Sequence, residues 1–475
     1  MFKTLALAVF VFASLWLRDA AALEQIPEPV QRIIRTFKIP HGSISMIVHD
    51  VAAESPVVSL NPTVPRNPAS AIKLLTTFVA LDVLGPTYTW ATELYALGPI
   101  NNGVLDGDLV LKGYGDPYLV VEEFWKMLGA LRDQGVATIN GDLVIDDSHF
   151  AVPMLDPGAF DRQPHRLYNV IPSAALVNFK AVEFGFTPAG DGIHVRIRAR
   201  PELPNLTITN RLSIIKGPCR GYELGITMDI PDPAVADRVV FSGQFPSACR
   251  SHTMHRSVLQ PASYAFGTFQ RLWGHWGGTI SGGFREGLAP ENGRPLVVWQ
   301  SRPLGEIIRA VNKWSNNVMT RLLLYSLATA KFDPPVTKDQ GIEVLRDYLR
   351  QNGLDDTDLH IDNGAGLSRD TRTTAELMTG LLRHAYRSPY MPEFIASMSI
   401  NGLDGTTRRR FRGRPEAGHM HLKTGRLDGV SAIVGYVFAT SGKTYSIVLL
   451  INHNNVHKGP GIEIQNALLK WVYRQ

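Results

Sequence analysis

The stretch that most restricts the fold is Ser70 to Leu84, SAIKLLTTFVALDVL. It holds no glycine or proline, follows Asn67-Pro68-Ala69, and stops at Gly85-Pro86. Such a segment reads as a helix, and because it is apolar nearly all round it must be covered on every side. It therefore demands a large surrounding core. The chain can supply one: it has 475 residues, 44% hydrophobic and 19% charged, an ordinary globular balance opposed to disorder. That length suggests two to four domains. The 48 basic and 43 acidic residues leave a net charge of +5, too mild to imply nucleic acid. Two cysteines exclude both a disulfide-dense scaffold and a thiolate metal cluster.

The N-terminus reads as a secretory leader over residues 1–22. Lys3 starts it, an apolar run follows from Thr4 to Leu17, and Ala20-Ala21-Ala22 supplies small residues for cleavage. The run is short for a membrane span, although an uncleaved anchor is the alternative. The mature protein is expected to be soluble in an oxidising compartment, where Cys219 and Cys249 could pair or remain two separate thiols.

Ser43–Val48 and Pro56–Leu60 read as short strands before the buried helix. From about 90 to 300 glycine- and proline-rich turns separate short alternating runs, at Gly107–Leu111, Gly141–Ile145, His194–Ile197 and Val239–Phe241, so this region reads as β-rich with few helices. Helical patterns return at Leu304–Leu327, Lys338–Gln351 and Thr374–Ala385. Strand patterns follow at His419–Lys423, Val430–Phe438 and Thr444–Ile451, and a last helix runs over Ile462–Tyr473. The two ends of the chain thus form one α/β domain, and the middle is an insertion into it.

Three groups of residues could carry chemistry. Ser70-Ala71-Ile72-Lys73 opens the buried helix, so serine and lysine share a face. Free N–H groups at a helix start favour an oxyanion, and desolvation would lower the lysine pKa until it can act as a base. The bland alternative is Ser70 as N-cap with Lys73 reaching solvent. A second Ser-x-x-Lys, Ser213 to Lys216, lies on a strand pattern, where positions three apart face opposite ways. Ser315-Asn316-Asn317 breaks a helix with a polar trio that suits a cleft, or simply marks a junction. Ser399-Ile400-Asn401 runs into a turn-rich loop. Lys423-Thr424-Gly425 ends a strand, where lysine and hydroxyl could bind a carboxylate and glycine allows close approach.

The ordered set of Ser-x-x-Lys, Ser-x-Asn and Lys-Thr-Gly resembles the penicilloyl-serine transferase signature. With Gly115-Asp116-Pro117, Asp146–Phe150, Asp362–Arg369, Gly402–Thr406 and the wide gap from Lys73 to Ser315, the chain resembles the DacB-like D-alanyl-D-alanine carboxypeptidase/endopeptidases, the class C low-molecular-mass penicillin-binding proteins. The resemblance spans essentially the whole mature chain. It implies an α/β (α+β) penicilloyl-serine transferase domain of β-lactamase/transpeptidase type over 23–95 and 290–475. The large β-rich insertion would form domains II (96–185 and 251–289) and III (186–250).

The same resemblance implies a serine DD-peptidase acting on peptidoglycan stem peptides and cross-links in the periplasm, acylated by β-lactams, and needing no metal or cofactor. Ser70 would be the nucleophile and Lys73 its base. Ser315 would relay the proton with support from Lys423. Asn317 would hold the substrate amide, Thr424 its terminal carboxylate, and the N–H groups of Ser70 and Arg426 the oxyanion, with Gly425 also at the substrate. Arg426 departs from the small hydroxyl residue of many relatives. The inserted domain would lend a carboxylate and an aromatic to the substrate wall: Tyr168 holds the aromatic position, Gln163 stands where the carboxylate belongs, and Asp161 lies two residues away. Arg369 matches the wall on the catalytic side. Rival readings are an esterase or D-amino-acid amidase on the same scaffold, and a non-catalytic cell-wall binding module.

Other features have plainer readings. Ser441-Gly442-Lys443-Thr444 lacks the first glycine of a phosphate loop and reads as a turn. His419 and His421 read as strand histidines, and the run Arg408–Arg414 as a solvated basic surface.

Overall fold

The computed structural model describes residues 26–221 and 225–475 in two compact units. The leader expected at 1–22 lies outside the described residues. Among those described, no helix is long and apolar enough to cross a membrane.

The first unit comprises the chain up to Tyr88, Pro303–Lys331 and Asp339–Gln475. Its strands are β1 (Ile44–Asp50), β2 (Val58–Leu60), β3 (Ser399–Ile400), β4 (Met420–Leu427), β5 (Val430–Phe438) and β6 (Thr444–Asn452). They form one antiparallel sheet in the order β3-β4-β5-β6-β1-β2. The chain's two ends therefore meet in one sheet, as the pattern of strands required. Alternation assigns its faces. Ile44, Met46 and Val48 of β1, with Ile447, Leu449 and Ile451 of β6, share a core with Val30 and Ile34 of helix α1 (Glu28–Thr36) and with Leu468 and Val472 of the C-terminal helix Pro460–Tyr473. In β4, Met420 and Leu422 belong to that core, so Lys423 points to the opposite face.

The buried helix is α2 (Lys73–Leu84), and every residue from Lys73 to Leu81 is buried. Gly85 ends it with a positive φ of +84° and ψ 154°, a backbone conformation that favours glycine. The helix expected over Leu304–Leu327 is two helices, α3 (Leu304–Trp314) and α4 (Asn317–Ala328). Ser315 between them is left-handed, φ 57° and ψ 40°, and the Asn316 side chain caps α4 by accepting from Met319 N at 3.0 Å. The Ser441–Thr444 stretch is the β5–β6 turn, closed by Ala439 N donating to Lys443 O.

The second unit runs from Thr89 to Arg302 with Phe332–Lys338. It starts earlier and ends later than the expected limits of 96 and 289, because strand Ala91–Leu97 pairs with Val297–Gln300 and both belong to its sheet. Apart from a small cluster of Tyr95, Val110 and Val144, its core is shared. Leu94 and Leu111 of the five-stranded sheet, Phe184 and Phe186 of Ala181–Pro188, and Phe241 of Arg238–Pro246 lie in one continuous hydrophobic cluster. Two helices stand where few were expected, Val121–Asp133 and Pro261–His275. Phe124, Met127, Leu128 and Leu131 of the first follow helical spacing and are fully buried. Cys219 and Cys249 form a disulfide. Ser213 sits on strand Thr207–Ile215, where its Oγ donates to Gly243 O at 3.4 Å and, among the described residues, is not bonded to Lys216.

Candidate active site

Ser70 does not lie on the α-helix itself but in the 3₁₀ turn Ala69–Ile72 that leads into it. The change favours the expected pair, since residues three apart eclipse in a 3₁₀ turn. Lys73 Nζ donates to Ser70 Oγ at 3.0 Å. The turn is held from several sides. Asn67 Oδ1 accepts from Ala69 N at 2.8 Å, and its Nδ2 donates to Ser368 O at 2.9 Å. Asn67 and Asn452, at the end of β6, exchange two further bonds: Asn67 N donates to Asn452 Oδ1 at 2.8 Å and Asn452 Nδ2 to Asn67 O at 2.9 Å.

Lys73 is fully buried and makes two more bonds, to Asn317 Oδ1 at 2.6 Å and to the carbonyl oxygen of Ala365. Asn317 can reach it because the left-handed Ser315 breaks the helical run and sets Asn317 as the first residue of α4. Ala365 can reach it because Gly366 lets its loop lie against the Ser70 turn: a Cβ on Gly366 would stand 2.0 Å from Ala69 O. Burial first, then the charges of Lys423 and Arg321, hold the Lys73 pKa well below the ordinary lysine range.

Lys423 is also fully buried, and burial lowers its pKa to about 7. Its Nζ donates to Ser315 Oγ at 2.8 Å and to Thr424 O at 3.0 Å. Neither lysine is bonded to a carboxylate among the described residues. Thr424 Oγ1 pairs with Thr406 Oγ1 at 3.0 Å. Thr406 belongs to the Gly402–Thr406 loop, which is fixed by the Lys313–Asp404 ion pair and by Ile400 N donating to Asp404 Oδ1 at 2.7 Å. Gly425 is buried and Arg426 exposed. The other Ser-x-Asn is structural: Ser399 Oγ accepts from Thr406 N, and Asn401 Nδ2 donates to Glu416 O.

The three motifs thus converge, all in the first unit. Arg369 lies in that unit too, where Nη1 donates to Asp428 O at 3.3 Å and Nη2 faces Asp428 Oδ2 at 3.6 Å. The other wall residues belong to the inserted unit. There Asp161 accepts from Tyr168 Oη at 2.7 Å, Asn169 Nδ2 at 2.9 Å and Gln163 N at 3.0 Å. Gln163 Oε1 accepts from Arg166 Nε at 2.7 Å. Burial, then the bond to Asp161, push the Tyr168 hydroxyl up to about 12.

Sequence reasoning missed Asn67, Asn452, Ala365 and Thr406. The polar Asn-Pro before Ser70 was the one visible signal for the first. The run Arg408–Arg414 is not wholly solvated: Arg410 turns inward and donates to Gln465 Oε1 at 2.9 Å. His421 Nδ1 is bonded to Ile395 O at 2.9 Å, and the His419 ring packs on Tyr473 at 5.2 Å.

Known proteins share this architecture. The D-alanyl-D-alanine carboxypeptidase of Actinomadura sp. (strain R39) is 29% identical over 96% of this chain and 86% of its own length. The D-alanyl-D-alanine carboxypeptidase DacB of Haemophilus influenzae is 23% identical over 92% of this chain and 93% of its own. The crystal structure of penicillin binding protein 4 (dacB) from H. influenzae superposes with a TM-score of 0.79 at 22% identity, covering 95% of this chain and all of that one, which shows the fold. The D-Ala-D-Ala carboxypeptidase 3 (S13) family model matches residues 28–475, essentially every described residue. The chain belongs to the D-Ala-D-Ala carboxypeptidase 3 (S13) family.

Proposed function

We propose that the protein is a penicillin-sensitive serine D-Ala-D-Ala carboxypeptidase that also cleaves D-Ala-containing cross-links of peptidoglycan. The observation that carries the reading is the set of atoms around Lys73 Nζ. Of its three partners, Asn317 Oδ1 and Ala365 O can only accept, so Ser70 Oγ is the one that can give up a proton. A neutral Lys73 keeps its two N–H bonds to those carbonyl oxygens and turns its lone pair to the Ser70 hydroxyl. Burial keeps it neutral when a charged amine would be useless as a base.

The reaction follows from this arrangement. Ser70 Oγ bonds to the penultimate D-Ala carbonyl carbon as its proton passes to Lys73. The oxyanion is met by the N–H groups of Ser70 and Arg426. Ser315, hydrogen-bonded to Lys423, passes a proton to the leaving amine, and terminal D-Ala departs. Asn317 Nδ2 has no protein partner among the described residues and is available to a substrate carbonyl. Thr424 receives the terminal carboxylate. Water then attacks the acyl-serine and restores the hydroxyl. A β-lactam acylates the same oxygen and leaves slowly. Arg369, in the same unit as Ser70, contributes to stem-peptide recognition. The leader over 1–22 delivers the chain to the periplasm, an oxidising compartment in keeping with the Cys219–Cys249 disulfide.

The test is digestion and mass spectrometry after incubation with penicillin, alongside assay of D-Ala release from a D-Ala-D-Ala peptide. The penicilloyl adduct is expected on the peptide bearing Ser70, with free D-Ala released. An adduct elsewhere overturns the nucleophile. Turnover of simple esters with D-Ala-D-Ala left intact favours the esterase reading instead.

A further inference from the structure

Thr406 is exposed, yet its backbone is fixed from several sides. Gly405 before it has φ +57° and packs so closely on β3 and α3 that a Cβ would stand 2.2 Å from Ser399 Oγ and 2.8 Å from Lys313 O. Asp404 accepts from Ile400 N at 2.7 Å and pairs with Lys313, which is buried. Thr406 N itself donates to Ser399 Oγ at 3.1 Å, and Ser399 is fully buried. An interior hydroxyl, an ion pair and a glycine contact therefore deliver an exposed side chain to one place beside β4.

That place is 3.0 Å from Thr424 Oγ1. Three hydroxyls then follow one another outward from the interior, Ser399, Thr406 and Thr424, with Ser399 Oγ and Thr406 Oγ1 at 3.3 Å. Each carries one proton and two lone pairs. At the inner end Ser399 Oγ donates to Lys313 O at 3.4 Å, the one carbonyl bonded to any of the three among the described residues. Ser399 can give its proton there. The protons of Thr406 and Thr424 have the hydroxyls and the open groove. Burial does not demand the bond between those two, because Thr406 is exposed and Thr424 half-buried, so water would serve both. The surroundings favour an anion. Lys423 Nζ donates to Thr424 O at 3.0 Å, Arg426 is exposed two residues along β4, and Asp404, the carboxylate of the loop, is already paired with Lys313.

We propose that Thr406 is a second carboxylate-binding residue, which with Thr424 forms a two-hydroxyl fork for the terminal carboxylate of the leaving D-amino acid, one proton to each oxygen. The inference rests on the reaction proposed above and deepens it, by naming a residue that makes the site select a free C-terminal acid over a capped one. A hydroxyl bonds an ionised oxygen more strongly than a neutral one. When the carboxylate arrives, the Thr424 proton turns from Thr406 to one of its oxygens and the Thr406 proton turns to the other. Because the loop is already held by Ser399, Lys313 and Asp404, the fork forms without ordering new backbone. Thr406 could instead serve only to hold its loop against β4. That role would matter equally for acid and capped substrates, which separates the two by experiment.

The test compares a peptide ending in D-Ala-D-Ala with the same peptide closed by a C-terminal amide, and a penicillin with its methyl ester, on the full-length mature protein. The wild type is expected to favour the free acid in both pairs. T406V should lower kcat/KM for the acid by about ten- to a hundredfold, the loss of one hydrogen bond to a charged group, chiefly through KM. It should leave the amide and the methyl ester at their wild-type rates, which also reports an intact fold. T406S, which restores the hydroxyl, should keep the preference for the acid. In a T424V background, T406V should lower the acid rate again, because Thr406 donates to the carboxylate itself. An equal loss on acid and capped substrates, or no further loss in the double variant, overturns the proposal while the reaction at Ser70 stands. A wild type that is neither acylated by the penicillin nor able to release D-Ala overturns both.

Discussion

Gly425 lies directly against Pro68: a Cβ added to Gly425 would stand 2.2 Å from the Pro68 carbonyl oxygen and 3.1 Å from Ala71 N. The glycine of Lys-Thr-Gly is thus a contact between β4 and the turn that presents Ser70. Both obstructing atoms are backbone, so no rotamer change relieves the clash. Gly425→Ala must push the strand away from Ser70, and displacement of about 1 Å costs roughly 10²-fold in rate. The expected outcome is a fall of that order in the second-order rate of acylation by a fluorescent penicillin, with the protein still folded by circular dichroism.

The two buried lysines predict the pH profile of acylation. Lys73 must be neutral to accept the Ser70 proton, so the rate should rise with pH through the Lys73 pKa. The Lys423 charge is one of the causes that lower that pKa. Lys423→Gln removes it, the Lys73 pKa rises, and the ascending limb should move to higher pH. In the wild type a descending limb is expected as Lys423 loses its proton near pH about 7. Lys423→Arg stays charged and should abolish that descent while leaving the ascent in place. Stopped-flow acylation between pH 5 and 10 reads both limbs; an ascent unmoved in Lys423→Gln would contradict the coupling.

Ser315 holds a left-handed conformation that costs a non-glycine residue about 1–2 kcal/mol. Ser315→Gly should remove that strain together with the hydroxyl bonded to Lys423, the proposed proton relay. Acylation is expected to fall by about 10²-fold or more, while the melting temperature stays level or rises. Ser315→Ala should lose the same activity without the gain in stability. A lower melting temperature for the glycine variant than for the alanine variant would refute the strain.

The Cys219–Cys249 bond closes a loop with a sequence separation of 30 and should stabilise the inserted unit by about 3–4 kcal/mol. The double Cys→Ser variant should unfold that unit at lower denaturant concentration, seen by limited proteolysis. Its penicillin acylation rate in native buffer should be unchanged, since every residue bonded to Ser70 or Lys73 belongs to the other unit.

The Ser70–Lys73 pair was readable because a serine and a lysine at that short spacing on one helical face are brought together by local geometry alone. The buried α2 was readable from its composition, and β5 was predicted to the residue. What escaped was carried by backbone atoms or by partners far along the chain. The Ala365 carbonyl has no sequence signature, and the Asn67–Asn452 exchange joins residues 385 positions apart. Ser70 sits in a 3₁₀ turn rather than on the α-helix because Ala69, at φ +45°, and the Asn67 bonds shape the entry, which propensity does not register. In the insertion, Phe124, Met127, Leu128 and Leu131 carry helical spacing within a region whose glycine- and proline-separated runs otherwise follow strand alternation. The limits of that unit were misplaced because Ala91–Leu97 and Val297–Gln300 find each other only in three dimensions.

That last pairing sets Ala91 directly opposite Gln300, and in the first unit Leu304 N donates to Tyr88 O at 2.8 Å. Entry and exit therefore travel as neighbouring rails. Such a doorway lets the splice at Tyr88 and Pro303 close without stretching the first unit, while Phe332–Lys338 makes a second, separate loan of chain to the insertion.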